Sequence, residues 1–166
     1  ASLDSAVLHK ANLSAASLHK ANLSEANLSG ANCSYAEFWG TGFPWHRSLP
    51  PDDTVDVYGD MDGTNFSGAD LFKANFMNST LLGANFEEAN LEKADFSLTG
   101  LKFCKFIKAN LTGVDLFGAY LLGAYLTGAN LNGANLHEAD LTAIDLTAAK
   151  WNESTVWPEG FTPPEQ

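Results

Sequence analysis

Four histidines, two cysteines and a run of aspartates are the residues here with the chemistry of a catalytic or metal site. Catalysis needs groups that converge, and His9, His19, His46 and His137 are scattered over the whole length. No Ser-His-Asp set, no metal-spaced His/Cys cluster and no Gly-rich phosphate loop accompanies them. Asp60-Met61-Asp62-Gly63 is similar to the opening of a calcium loop, with Asp56 just upstream. The full pattern wants an acid or Asn where Tyr58 stands and a closing Glu that is missing. Asp56, Asp60 and Asp62 therefore make a weak calcium candidate, and no metal or other cofactor is expected. Cys33 and Cys104 are too few for a disulfide scaffold.

Composition narrows the classes further. The chain has 166 residues, enough for one domain, with 9 basic and 20 acidic residues and a net charge of -11. That sign excludes a direct nucleic-acid binder, since phosphate affinity comes from Lys and Arg. Hydrophobic content of 45% excludes a disordered acidic tail. No apolar run approaches the ~20 residues of a membrane span. The charged fraction, 17%, is low, so Asn, Ser and Thr must keep the surface wet.

The elements that position these residues follow from an internal period. Leu3, Leu8, Leu13, Leu18, Leu23, Leu28, Cys33 and Phe38 stand five apart, each two residues after an alanine. The pattern resumes at Phe66 and runs every fifth residue to Trp151, giving 26 units over 130 residues. Five matches neither the helical period of about 3.6 nor the strand period of 2. Each unit is therefore a short extended piece plus a corner. Ala and Leu point inward, the residue between them points outward, and the last two, rich in Gly, Ser and Thr, turn the chain.

The aromatics set the number of sides. Phe66, Phe76, Phe86, Phe96 and Phe106 recur every ten residues with Leu between them. A four-sided coil stacks Phe66, Phe86 and Phe106 in one column and Phe76 and Phe96 in the opposite one, whereas three sides would scatter them. About 6.5 coils at a spacing of ~4.8 Å make a column roughly 31 Å long. Asn90, Asn110 and Asn130, one coil apart, should stack as an outward ladder. Cys33 and Cys104 fall on different sides three coils apart, roughly 14 Å, so two buried free thiols are expected.

The Ala-Asn/Asp-Leu-x-x tandem, as in Ala11-Asn12-Leu13 and Ala26-Asn27-Leu28, resembles the pentapeptide repeat proteins over about three quarters of the chain. The resemblance implies an all-β solenoid, a right-handed quadrilateral β-helix. It also implies a source among cyanobacteria or related bacteria, with cytoplasm, periplasm and thylakoid lumen all open as compartments. Members range from uncharacterised proteins to inhibitors that protect DNA gyrase.

The expected organisation is a repeat column over 1–153, broken by a 23-residue loop at 41–63, and a capping tail at 154–166. With eight units before the break, two complete coils are expected there, so that the loop leaves and returns in phase. The loop carries Trp45 among Pro and Asp residues, which either fold back on the column or form a grafted site. An open coil end must be covered, and Trp151, Trp157 and Phe161 are the candidates.

Function is weighed on this frame. His9 and His19 fall on opposite walls, and His46 and His137 lie elsewhere, so no enzyme is expected. A DNA-mimicking gyrase inhibitor, the alternative, wants an acidic column. Setting aside the loop and tail, this column is only five net negative over 130 residues, against about 18 phosphate charges over a similar length of duplex. Outward apolar residues instead point to a scaffold or protein-interaction module with a protein partner or self-association. Trp39, Leu82, Tyr120 and Leu122 should share one side, with Trp45 of the loop nearby, as the candidate interaction surface.

Overall fold

The computed structural model describes residues 2–18, 21, 23, 26–38 and 61–165. Every described unit repeats one backbone pattern. In the unit of Leu91, the Leu91 N–H donates to Asn110 O one coil on (2.8 Å), and the Asn110 N–H donates back to Ala89 O (2.9 Å). The corner closes with the Ala94 N–H on Leu91 O (3.0 Å). Parallel bridges accordingly link residues 20 apart, such as Asp70 with Asn90 and Asn90 with Asn110. Twenty residues per turn, at five per unit, makes four sides.

We name the sides by one coil: side I is 64–68, side II 69–73, side III 74–78 and side IV 79–83. The first and third residues of each unit point inward, and from Leu23 to Leu136 the described alanines and central residues are almost fully buried. The phenylalanines stack as expected. Phe66, Phe86 and Phe106 form one column with centroids 5.0 Å apart, and Phe76 and Phe96 the facing one at 4.6 Å. The two columns meet edge to face, as at Phe76–Phe86 (5.9 Å), the arrangement that the ring quadrupole favours. Polar residues in the alanine slot turn their hydroxyls on the backbone: Thr64 donates to Leu23 O and Thr99 to Phe76 O, both at 2.8 Å. Satisfying those hydroxyls lets them sit in the core.

The structure corrects the expected phase of the break. Asn27 bridges Asn65 and Glu37 bridges Asn75, so partners stand 38 apart where elsewhere they stand 20. The Phe38 ring lies on Phe76 at 4.6 Å, beneath side III, leaving side IV of that coil to another segment. Residues 61–63 supply it. Met61 is fully buried in the core, and the Gly63 N–H donates to Leu82 O (2.9 Å). The first block thus ends on side III, one side earlier than expected, and the period resumes on side IV before residue 63. An unbranched Met fills an inward slot as well as Leu does, which is why the segment looked like loop.

The expected departure at residue 154 is corrected too. Val156 bridges Asn135, and the Thr155 hydroxyl donates to Leu131 O (2.9 Å). One more unit therefore follows on side III, carrying a single extra residue. Trp151, Trp157 and Phe161 pack against the core, with Trp157 5.5 Å from Trp151 and 5.3 Å from Phe161.

Candidate interaction surface

With the inward positions committed to the core, chemistry is left to the second, fourth and fifth residues of each unit. On side II the second position carries Asp70, Asn90, Asn110 and Asn130. The Asn90 amide donates to the Asp70 carboxylate (2.9 Å) and the Asn110 amide to Asn90 Oδ1 (3.0 Å). The expected ladder breaks step at Asn130, whose amide donates instead to the Thr112 hydroxyl (2.9 Å). Thr112 in turn donates to Asn110 Oδ1 (2.7 Å). Each Asn or Asp also accepts the N–H two residues on, as Asn65 does from Ser67 (3.0 Å) and Asp115 from Phe117 (3.0 Å). The side chain thereby shapes its own corner, a role that the repeat alone did not reveal.

Side IV carries Thr80, Gly100, Tyr120 and Asp140 at the same position, bridged in series. Thr80 and Gly100 are buried although the position points outward, and the Thr80 hydroxyl has no hydrogen-bond partner. Leu82, Tyr120 and Leu122 are half-buried, and all three do lie on this side. The described residues before Trp39, Glu37 and Phe38, pair beneath side III; Trp39 itself and Trp45 lie outside the described residues.

The corners flanking side IV hold two residues that the sequence reading passed over. Leu98 and Phe103 are 44% and 51% exposed, at the fifth position, where φ is +56° and +57°. Each lies over a glycine of the next coil. A Cβ on Gly118 would stand 2.9 Å from the Leu98 side chain, and one on Gly123 2.7 Å from the Phe103 ring. A bulky residue followed twenty positions later by Gly is the signal that would have found them.

The remaining candidates stay apart. His9 Nδ1 lies 2.8 Å from the Ser29 hydroxyl, and His137 stacks on Phe117 on another side. His19 and His46 lie outside the described residues. So do Asp56 and Asp60, while the third calcium candidate, Asp62, accepts the Leu82 N–H (2.8 Å) and is buried. Among the described residues no group of His, Cys, Asp and Glu is placed to hold a metal ion. Both cysteines are free and buried. Burial, with the Asp70 charge second, pushes the Cys33 thiol from 9.0 up to about 12. Burial drives Cys104 upward as well, and its Sγ donates to Leu81 O (2.9 Å). Neither is a poised nucleophile.

Four stacked sides with a five-residue unit define a quadrilateral β-solenoid. The family model for pentapeptide repeats matches the chain in 8 copies, over residues 1–41, 60–97 and 109–147. The chain belongs to the pentapeptide repeat family, whose members are right-handed quadrilateral β-helices and generally structural or interaction modules. The second match opens at residue 60, beside the Met61 unit. No curated protein is significantly similar to the chain. Among solved structures it is similar to the pentapeptide repeat protein Rfr23 from the cyanobacterium Cyanothece 51142, with 29% identity over 79% of this chain and 87% of that one and a TM-score of 0.40. It is also similar to HetL, involved in heterocyst differentiation regulation in the cyanobacterium Nostoc sp. strain PCC 7120, at 24% identity over 96% and 88%, TM-score 0.43. A pentapeptide repeat protein of the Arabidopsis thaliana thylakoid lumen is 27% identical over 74% and 70%, TM-score 0.41. Among the described residues no helix is long and apolar enough to cross a membrane.

Proposed function

We propose that this chain is a non-enzymatic scaffold that engages a protein partner, or a second copy of itself, through side IV. In this reading the 26 units of the period, with those of Met61 and Thr155, make a column of about seven coils that ends in a capping tail. The observation that carries it is the half-buried set Leu82, Tyr120 and Leu122 on a side flanked by exposed Leu98 and Phe103. Contiguous apolar surface of this kind, rimmed by polar residues, marks contact surfaces. The neutral amide ladder on side II favours a scaffold over a DNA mimic, which would want carboxylates there.

Replacing both Leu82 and Leu122 by Ser tests the proposal. Sedimentation velocity and crosslinking should show self-association, or retention of a partner co-purified with the wild type, fall at least fivefold while the melting transition persists. Association unchanged in a folded variant would refute the role of side IV.

A further inference from the structure

The last coil is closed on two sides and open on two. On sides II and III the chain closes itself: Lys150 pairs with Asn130 and Val156 with Asn135, so that the Leu131 and Leu136 N–H groups donate to Lys150 O and Val156 O, both at 2.7 Å. On sides IV and I, residues 139–148, nothing among the described residues does the same. Leu121 and Leu126, one coil earlier, donate to Asp140 O and Asp145 O (2.9 and 2.8 Å), and Gly123 and Gly128 to Thr142 O and Thr147 O (3.0 and 2.9 Å). The N–H groups of Leu141, Ala143, Leu146 and Ala148 are the equivalents in the last coil and have no such acceptor; Ala139 O and Ile144 O likewise have no donor.

The floor beside this edge sets apolar side chains among polar ones, Asp145, Thr147, Lys150 and Glu165. A cavity of about 850 Å³ opens there, lined by Leu141, Ile144, Leu146, Trp151, Phe161 and Pro164. The edge also offers two carboxylates. Elsewhere in the column two Asp residues at the second position accept both their own corner N–H and an Asn amide from the coil above: Asp70 from Phe72 and Asn90, Asp115 from Phe117 and Asn135; the third, Asp95, lies under Asp115 and accepts only from Ser97. Asp140 and Asp145 accept their corner N–H groups from Thr142 and Thr147 (3.0 and 2.9 Å). No Asn among the described residues stands above either one. Hydrogen bonds from Thr147, and then from Thr127, hold the Asp145 carboxyl below its ordinary range, which keeps it a charged acceptor.

We infer that the open edge of residues 139–148 accepts an extended peptide of the form small–Asn–large apolar, repeated after two residues, which adds as a parallel strand. Main-chain bonds to Leu141 and Leu146 supply affinity, the apolar side chains of the cavity take the large residues, and Asp140 and Asp145 select Asn between them. Asp140 ends the outward row of side IV, but the open edge uses neither Leu82 nor Leu122 and does not depend on the proposal made for them.

The probe is a synthetic peptide, ANLNGANLHE, which repeats residues 129–138. Titrated into the isotope-labelled chain, it should shift the amide resonances of Leu141, Ala143, Leu146 and Ala148 to saturation while leaving those of Leu131 and Leu136 in place. A peptide with Asn130→Asp and Asn135→Asp, which sets carboxylate against carboxylate, should bind at least tenfold more weakly. The surface variant Asp140→Ala/Asp145→Ala, folded by its unchanged amide spectrum, should lose the preference for the Asn peptide. No shift at millimolar peptide, equal binding of the two peptides, or a preference retained in the double variant would each overturn the inference.

Discussion

Sides II and IV share one backbone and one core and differ mainly in what they turn outward; inward, side IV sets Ser79 and Thr99 where side II has Ala69 and Ala89. Side II stacks Asp70, Asn90, Asn110 and Asn130, whose amides and carboxylates bond along the axis and cap their own corners. Side IV, at the same register, stacks Thr80, Gly100, Tyr120 and Asp140, giving up the ladder for apolar surface. The inward residues of a pentapeptide specify the coil, and the outward ones are free to vary without altering it. That independence is what lets a regular column carry a working face.

The largest effect should come from an inward residue, whichever side it serves. Phe86 stacks between Phe66 and Phe106 at 5.0 Å and meets Phe76 and Phe96 edge-on. Phe86→Ala should lower stability by about 3–5 kcal/mol in urea unfolding, since a rigid solenoid collapses poorly around a cavity. A loss below about 1 kcal/mol would mean that the stacked rings are not what holds the coils in register.

A smaller effect belongs to the dressing of side II. Asn110 makes three hydrogen bonds, to the Thr112 N–H, the Thr112 hydroxyl and Asn90 Oδ1. Asn110→Ala should cost about 1–2 kcal/mol, one side chain's worth of part-exposed bonds. An Asn110→Asp variant keeps the corner bonds but loses the amide donor, and should fall between the two. If Asn110→Ala proves neutral, the ladder is decoration and sides II and IV differ less than their residues suggest.

Much of this was legible in the sequence because the inward pattern is nearly invariant within the chain. Alanine at the first position and Leu or Phe at the third announced the unit, and the Phe alternation announced four sides. Where a slot is filled by a residue outside that alphabet, the register was lost. Met61 hid one unit, and the extra residue before Thr155 hid another. The Phe alternation held the remedy, since Phe38 belongs to a Phe column and so under Phe76. The outward surface was only partly legible, because its partners come from stacking twenty residues apart. Leu98 over Gly118 and Phe103 over Gly123 look unremarkable along the chain and become a pair only once the coil is wound.

The smallest effect at neutral pH, and the test most specific to the inward positions, concerns the thiols. Cys33 is an inward residue of side II and Cys104 one of side I, and burial raises both. In the native protein at pH 8 neither should react with iodoacetamide over hours, and both should react on unfolding in urea. The pH dependence follows from the sign of the shift. An unfolded thiol ionises near 9.0 whereas native Cys33 holds its proton to about 12, so above pH 9 the unfolded chain binds fewer protons and stability falls as pH rises. The urea midpoint of the wild type should therefore drop more between pH 8 and pH 10 than that of Cys33→Ala/Cys104→Ala. The other titrating groups are common to both chains, so the difference isolates the two thiols. Rapid native alkylation, or equal pH slopes, would show that solvent reaches the inward positions and that the separation of core from surface is less complete than the comparison of the two sides requires.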